Sequence, residues 1–371
     1  MAKPKRAYSD ALIYRATELF LSKGVKVESV SDQLNREFEG ELSTQRLTRQ
    51  SIYQLVAEAR DKDILRLIPR TKDEMESKFI SKFSSYPFRR EVNINPVRIV
   101  NAPPLSNDEA TSAAAADLVV QLIRKLDADR RTSGWKTNGP IGLGIGPGRA
   151  TQQFARVLGS IHSMDTSIPQ IALFGISAGC VAKRPQYAST AFYSFFTRVT
   201  TCTGLFAQPL VRAKDFESLR KAPEVRQAFD EKQNIDIIVT SMGSFRTCKH
   251  SVFRKIMDPL PAEDKPKWLK DCVGDVQYRP FSKDGPLIEN LNEYRLVTLF
   301  ELEELVSLAT TAGKYVVLIA RHCSGCAADS SVKKAAKARA FSLLPILTSP
   351  NLHLFSHVVT DVPTATECLA N

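Results

Sequence analysis

Long apolar runs are missing from this chain: nowhere in its 371 residues does a hydrophobic stretch reach bilayer-spanning length. The N-terminal Met1-Ala2-Lys3-Pro4-Lys5-Arg6 carries charge with no apolar core behind it, which argues against a secretory leader. Cysteine is sparse, scattered and odd in number at seven, so a disulfide framework is not expected, and a reducing, cytoplasmic setting is. No internal repeat or low-complexity tract is present. Two phosphate motifs are also absent: a GxGxxG turn with an acidic residue about 20 positions on, and the P-loop GxxxxGK[ST]. Neither a dinucleotide nor a nucleoside triphosphate is therefore the default ligand.

Negative charge is in short supply. Fifty-one Lys and Arg face 40 Asp and Glu, a net charge of +11, which suits a polyanionic partner. The excess leans to the N-terminus, where residues 1 to 90 hold 18 basic and 13 acidic side chains. A solvated basic surface is the plain alternative. A hydrophobic content of 43% indicates a globular chain, and its length suggests two domains or one large domain with an appendage.

Apolar spacing predicts a first helix over Asp10 to Leu21, stopped at Gly24. A second is expected over about Val30 to Phe38, capped by Ser29 or Ser31 and broken at Gly40. A third follows a Thr48 cap, with Ile52, Leu55, Val56 and Ala59 inward, and then a short strand at Ile64 to Ile68. Three short helices and a small strand suit a helix-turn-helix module. Arg46, Thr48, Arg49, Gln50, Ser51, Tyr53 and Gln54 are its candidate DNA-contacting residues, since Arg suits guanine, Gln suits adenine and Ser can take a phosphate. A helical interaction domain that binds no DNA is the rival, supported by a Glu39 to Leu47 link longer than the usual turn. The domains expected are thus 1–70, a helical connector over 71–87, and 88–371.

Beyond Pro87 apolar runs alternate with helical patterns. Strands are expected at Val97–Val100, Ile141–Leu143, Ile171–Phe174, Ile235–Thr240, Tyr315–Ala320 and Phe355–Thr360. Helices are expected at Ala113–Leu126, Gln152–Leu158, Ala188–Thr197, Val225–Glu231, Leu299–Ala309, Val332–Leu344 and Thr364–Ala370. This alternation predicts an α/β fold, a mainly parallel doubly wound sheet with the all-α module before it. Ligands in such sheets bind at the carboxyl ends of strands. There lie Gly142-Leu143-Gly144-Ile145-Gly146-Pro147-Gly148-Arg149-Ala150-Thr151, a glycine-rich turn able to cradle an anion at a helix N-terminus, and the small-residue loops Gly175 to Cys180 and Ser241 to Ser244. Gly274-Asp275 and a helix with Lys333, Lys334 and Lys337 complete the set, which could hold a phosphosugar.

The order of Ile141-Gly142-Leu143-Gly144, Asp236 to Ser244, Val273-Gly274-Asp275, Lys337-Ala338-Arg339-Ala340 and Val359-Thr360-Asp361 resembles the sugar-binding regulators of the SorC family. That resemblance implies an N-terminal helix-turn-helix, an effector domain related to sugar-phosphate isomerases, and a dimer or tetramer whose DNA affinity a sugar or sugar phosphate modulates. On the matching positions it implies an effector site of Gly146, Gly148, Arg149, Ala150, Thr151, Ser177, Gly179, Gly243, Ser244, Asp275 and Lys337; no cofactor and no metal are expected. Two departures stand out: Gly146-Pro147-Gly148 has more glycine and proline than the family's loop, and Arg321 to Cys326 replaces a paired glycine. The alternative is an isomerase- or deaminase-type enzyme with His250 or Asp275 as base. Cys323-x-x-Cys326 is read as two free thiols, since Cys180, Cys202, Cys248, Cys272 and Cys368 are solitary in sequence and a closed zinc site needs four ligands.

Overall fold

Strand and helix follow the apolar pattern closely enough that the strands longest in β-branched and aliphatic residues have no exposed position. Tyr315–Ala320 is buried along its whole length, as a parallel strand covered on both faces must be. The computed structural model describes residues 8–42, 46–62, 64–65, 73–102, 107–132, 139–179, 184–288 and 293–371. The chain forms two compact units, Met1–Ile68 with Ser160–Thr166, and Pro69–Gly159 with Ser167–Asn371. Among the described residues no helix is long and apolar enough to cross a membrane.

In the first unit α1 (Asp10–Thr17) runs on as a π-helical turn over Glu18–Ser22 and stops at Gly24, whose φ of 62° favours glycine. Next come α2 (Val27–Glu37), the single turn α3 (Glu39–Leu42) and α4 (Arg49–Asp61). Leu12, Ile13, Val30, Leu34, Ile52, Leu55 and Ala59 are fully buried together. Arg15 on α1 reaches Glu37 on α2 through two nitrogens at 2.9 Å. This bidentate pair, with Gln33 also bonding, brings the Glu37 carboxyl down to about 2.

Local expectations are corrected here in three places. The second helix starts at Val27, so Ser31 is inside it, donating to the Glu28 carbonyl at 2.7 Å instead of capping. Gly40 does not break a helix but lies within α3. The long link is also pinned: Asn35 donates to the Leu47 carbonyl at 3.0 Å and accepts from its N–H at 2.7 Å, and Leu42 and Leu47 are buried. Ile64 and Leu65 form a bend, and the remainder of the expected strand lies outside the described residues.

The second unit opens with α5 (Asp73–Lys82), within the segment expected to connect domains. Its Phe79 is fully buried in the main core, and its buried Glu76 accepts from Asn95 at 2.6 Å and from the Ile99 N–H at 2.9 Å. The strands that follow are β1 (Val97–Val100), β2 (Ile141–Ile145), β3 (Ile171–Gly175), β4 (Val199–Gly204), β5 (Leu210–Arg212), β6 (Ile237–Ser244), β7 (Gly274–Val276), β8 (Arg279–Phe281), β9 (Tyr294–Leu296), β10 (Tyr315–Ala320) and β11 (His357–Asp361), of which β5 and β9 pair with each other, antiparallel, apart from the main sheet. Among the described residues seven strands run parallel in the order β1-β11-β10-β6-β2-β3-β4. The interleaved helices are α6 (Asn107–Thr132), α7 (Arg149–Met164), α8 (Phe216–Lys221), α9 (Pro223–Glu231), α10 (Val252–Met257), α11 (Leu302–Thr310), α12 (Ser324–Asp329), α13 (Val332–Thr348) and α14 (Val362–Ala370).

This is the expected α/β, mainly parallel doubly wound sheet. Strand succession reverses between β2 and β6: β3 and β4 extend one way, β10, β11 and β1 the other. A crevice opens at such a switch point, beyond the carboxyl ends of the two strands. Three expectations change. Ser241–Ser244 is not a loop but the end of β6, because β7 pairs antiparallel with it at Met242–Val276 and Gly243–Asp275. Ala188–Thr197 forms 3-10 turns instead of an α-helix. The strand β4, with β5 and β9, went unread because its hydroxyl-rich run VTTCTG lacks an apolar signature.

Candidate functional site

The glycine run of β2 and the turn after it divides into two physical roles. A Cβ at Gly142 would lie 1.9 Å from the Asn234 carbonyl oxygen, one at Gly144 2.8 Å from Ile176, and one at Gly146 2.5 Å from the Thr240 hydroxyl. These three glycines serve strand packing. Gly148 differs: its φ is 128°, reversing the chain into α7. Thr151, fully buried, donates to the Gly148 carbonyl at 3.1 Å and so braces the turn from below.

A cleft lies at the switch point, lined by Pro147 to Ala150 after β2, Ser241 to Gly243 on β6, Ile319 on β10 and Arg321 to Cys323 after it. Arg184, Tyr187, Cys248, His250 to Phe253, Lys255, Asp275, Gln277, Tyr278 and Arg339 complete the lining. It encloses about 150 Å³, less than the roughly 300–1,000 Å³ of pockets for drug-sized ligands, so a compact ligand is the better match.

Its electrostatics are lopsided. Arg149, Arg184, Lys255, Arg321 and Arg339 line it against the single carboxylate Asp275. Asp108, at the start of α6, pairs with Arg321 and lies 3.7 Å from Arg149, which still leaves cations in excess. Arg339 is held by donating to the Arg321 carbonyl at 2.8 Å and to the Met242 carbonyl. The N-terminus of α7 adds its positive dipole end to the same wall.

The lining also carries acceptors. The Oδ1 of Asp275 and the Oε1 of Gln277 are buried without a hydrogen-bond partner among the described residues. Burial pushes the Asp275 carboxyl up to about 7, against the pull of Arg339 and a backbone bond from Tyr278. Gln277 and Tyr278 both have positive φ, 47° and 76°, a costly conformation for two non-glycine residues in succession. The turn is fixed by Ser177 donating to the Gln277 carbonyl at 3.1 Å and Gln277 donating to the Phe300 carbonyl at 2.7 Å.

At the base of the cleft, the His322 Nδ1 and backbone N–H both lie 2.8 Å from Asp361 Oδ2, and Asn107 donates to the same oxygen at 3.1 Å. Burial opposes the Asp361 charge, but the His322 and Thr364 hydrogen bonds prevail and bring its carboxyl to about 2. The Asp361 carboxylate thus fixes the orientation of the His322 ring through Nδ1.

Of the expected effector residues, Gly148, Arg149, Ala150, Gly243 and Asp275 meet in this lining. Gly243 is required there: a Cβ would lie 1.9 Å from Asp275 Oδ1. Gly146, Thr151, Ser177 and Ser244 lie beneath the lining, and Gly179, with φ 62°, packs on Pro209. Lys337 is exposed on α13 and outside the lining, and Arg339, two residues on, is part of it. Sequence reading passed over Arg184, Gln277, Tyr278 and Arg339. The 3.6-residue period of α13 could have indicated Arg339, since its side chain falls on the buried face with Ala335, Ala336 and Ala340.

His250, the alternative base, bonds Asp329 at 2.8 Å across a half-exposed surface. Cys248, read as solitary, is in fact beside the Cys323-x-x-Cys326 pair, its Sγ 3.4 Å from that of Cys326. A hydrogen bond from Cys248 favours Cys323 as the thiolate, bringing it well below the ordinary thiol range.

The candidate DNA-contacting face stands on α4. Arg46, Thr48, Arg49, Gln50, Tyr53 and Gln54 are exposed and Ser51 is half-buried. Thr48 and Ser51 cap the helix reciprocally, the Ser51 N–H donating to Thr48 at 3.3 Å and the Thr48 N–H to Ser51 at 3.0 Å. Arg49 extends over the Tyr53 ring at 5.9 Å and lies 3.6 Å from Glu28.

No protein-family model matches the chain, and no curated protein matches it by sequence. Its fold, however, is similar to solved structures. The full-length sorbitol operon regulator SorC from Klebsiella pneumoniae is 14% identical over 98% of this chain and 100% of that one, with a TM-score of 0.59. A DeoR family transcriptional regulator from Listeria monocytogenes is 17% identical over 79% and 98%, with a TM-score of 0.53. A transcriptional regulator from Streptococcus pneumoniae is 16% identical over 80% and 96%, with a TM-score of 0.53. At these identities the likeness is one of fold.

Proposed function

We propose that the chain is a DNA-binding transcriptional regulator whose operator affinity is set by a compact anionic effector, a sugar phosphate, bound in the β2/β6 cleft. The observation that carries this reading is the charge imbalance of the lining: five Lys and Arg side chains and a helix N-terminus against Asp275. A phosphate answers the cations, and sugar hydroxyls answer the unpartnered Asp275 Oδ1 and Gln277 Oε1. The similarity in fold to a sorbitol operon regulator over the full chain supports the same reading.

The DNA side rests on α4, which presents Arg49, Gln50, Tyr53 and Gln54 from a helix whose opposite face is core, as a recognition helix requires. Two such helices in a homodimer or homotetramer would read two half-sites, and effector binding would shift the population of subunit arrangements that match their spacing. An enzyme would need turnover, and a regulator needs only differential affinity. Calorimetry and thermal shift with hexose and pentose phosphates, each beside its unphosphorylated sugar, test the ligand class. Gel shifts on DNA selected from a random pool, run with and without the tightest ligand, test the coupling. Linkage requires DNA and ligand to change each other's affinity by the same factor. A tight ligand that leaves DNA affinity unchanged would sink the regulatory reading, and steady conversion of that ligand would replace it with the isomerase-type one.

A further inference from the structure

The thiols of Cys248, Cys323 and Cys326 come from two separate stretches of chain and converge. Cys323 precedes α12 and Cys326 is in its first turn, three residues apart, so both sulfurs are on one side of that helix start. Cys248 arrives from the turn after β6. The three sulfurs all lie within 4.8 Å of one another. Zinc–thiolate bonds of about 2.3 Å in tetrahedral geometry put sulfurs roughly 3.8 Å apart, so a cation could seat between them with sub-ångström side-chain adjustments.

We propose that Cys248, Cys323 and Cys326 bind one thiophilic divalent cation, of the zinc class, in the wall of the cleft. Three thiolates leave a fourth coordination position. Among the described residues no further Cys, His, Asp or Glu joins the cluster. Cys248 and Cys323 both line the cleft, so the open position faces the space where a small ligand would sit, in the manner of three-ligand zinc sites that keep one place for water or substrate. Arg149 and Arg339 share that lining, and their charge offsets the anionic trithiolate. The site would thus give an effector oxygen a metal to bind. Metal capture itself stands independently of the sugar-phosphate reading.

The test uses the full, reduced chain. Zn2+ titrated against a chelating dye should bind at one equivalent per chain and shield three of the seven cysteines from a thiol reagent, with shielding lost on adding chelator. Co2+ in place of Zn2+ should give thiolate-to-metal charge-transfer and tetrahedral ligand-field bands. Cys248→Ser, Cys323→Ser and Cys326→Ser should each weaken binding by about 100-fold or more, and Cys202→Ser, at an exposed position, should leave it unchanged. The unmutated protein alone is decisive should a variant misfold: no stoichiometric uptake, or uptake with no shielded thiols, overturns the proposal. A chain that takes no metal when reduced, yet joins Cys248 to Cys326 as a disulfide in air, overturns it as well.

Discussion

Two buried aspartates at opposite ends of the same sheet behave in opposite ways. Asp236, just before β6 at the amino edge, accepts from the Gly142 N–H at 2.8 Å and pairs with Arg130 at 2.8 Å and Lys314 at 3.3 Å. Asp275, at the carboxyl edge, has an Oδ1 with no partner and a carboxyl pushed up to about 7 by burial. The same fold satisfies one buried carboxylate fully and leaves an oxygen of the other unpartnered. The amino edge is architecture, and the carboxyl edge is where the proposed effector would bind. The sharpest way to break this contrast is Asp236→Ala. It strands two cations and an amide, so about 3–5 kcal/mol of stability should be lost, read as a drop in urea midpoint. An unchanged midpoint would mean the cluster holds nothing together.

Asp275→Asn should act in the other direction. An unfolded aspartate ionises near pH 3.9, whereas the folded one holds its proton to about 7. Between those values the unfolded chain has released a proton that the folded chain keeps. Raising the pH through that window therefore costs the wild type stability, and the full cost is present above 7. The asparagine variant escapes it, so its advantage over wild type should grow by on the order of 2–4 kcal/mol between pH 4 and 8. Denaturant midpoints for both proteins at the two pH values check this. An advantage that does not change with pH would refute the assignment of a strained, proton-holding carboxyl.

Much of this arrangement was legible in the sequence because burial writes itself as pattern. Tyr315–Ala320 was read with its bounds intact, since six apolar residues between turn signals leave few alternatives. The glycine run was located, but its meaning was mixed: Gly142, Gly144 and Gly146 answer to neighbouring strands and side chains, and Gly148 to the cleft. A single sequence gives no way to separate a glycine needed for close approach from one needed for a positive φ. Arg339 and Gln277 were passed over because their place in the cleft depends on the tertiary fold, and so does that of Cys248, which is 75 residues from Cys323 in sequence and a neighbour only through the β6–β10 pairing. The edge strand β4 escaped because its hydroxyl-rich run carries no apolar period, and β5 because three residues, Leu210 to Arg212, are too few to show one.

The exposed face of α4 contrasts with the cleft in a different way. Its charges are solvated and paid for by nothing in the fold: Arg49 and Glu28 are each about two-thirds exposed, a pair worth little to stability. Arg49→Ala should therefore leave the thermal midpoint within error while weakening DNA binding about tenfold and lowering its salt dependence. Gel shifts at two salt concentrations separate the outcomes. A loss of stability without a loss of DNA affinity would assign Arg49 to packing and favour an interaction domain over a DNA-binding one.

The smallest expected effect concerns Lys337, and it discriminates between two accounts of the effector site. Family resemblance points to this lysine, but the helical period of α13 turns it to solvent and brings Arg339 inward, where its guanidinium is held by the Arg321 and Met242 carbonyls. An exposed ammonium outside the lining is screened beyond roughly 8–10 Å at ordinary ionic strength. Lys337→Ala should then change sugar-phosphate affinity by less than about twofold. Arg339→Met, which keeps much of the apolar stem but removes the buried charge, should reduce it by about 100-fold. Calorimetry on the pair gives the comparison directly. If Lys337→Ala proves the costlier substitution, the ligand lies across the outer face of α13 and the cleft at the β2/β6 switch is not where it binds.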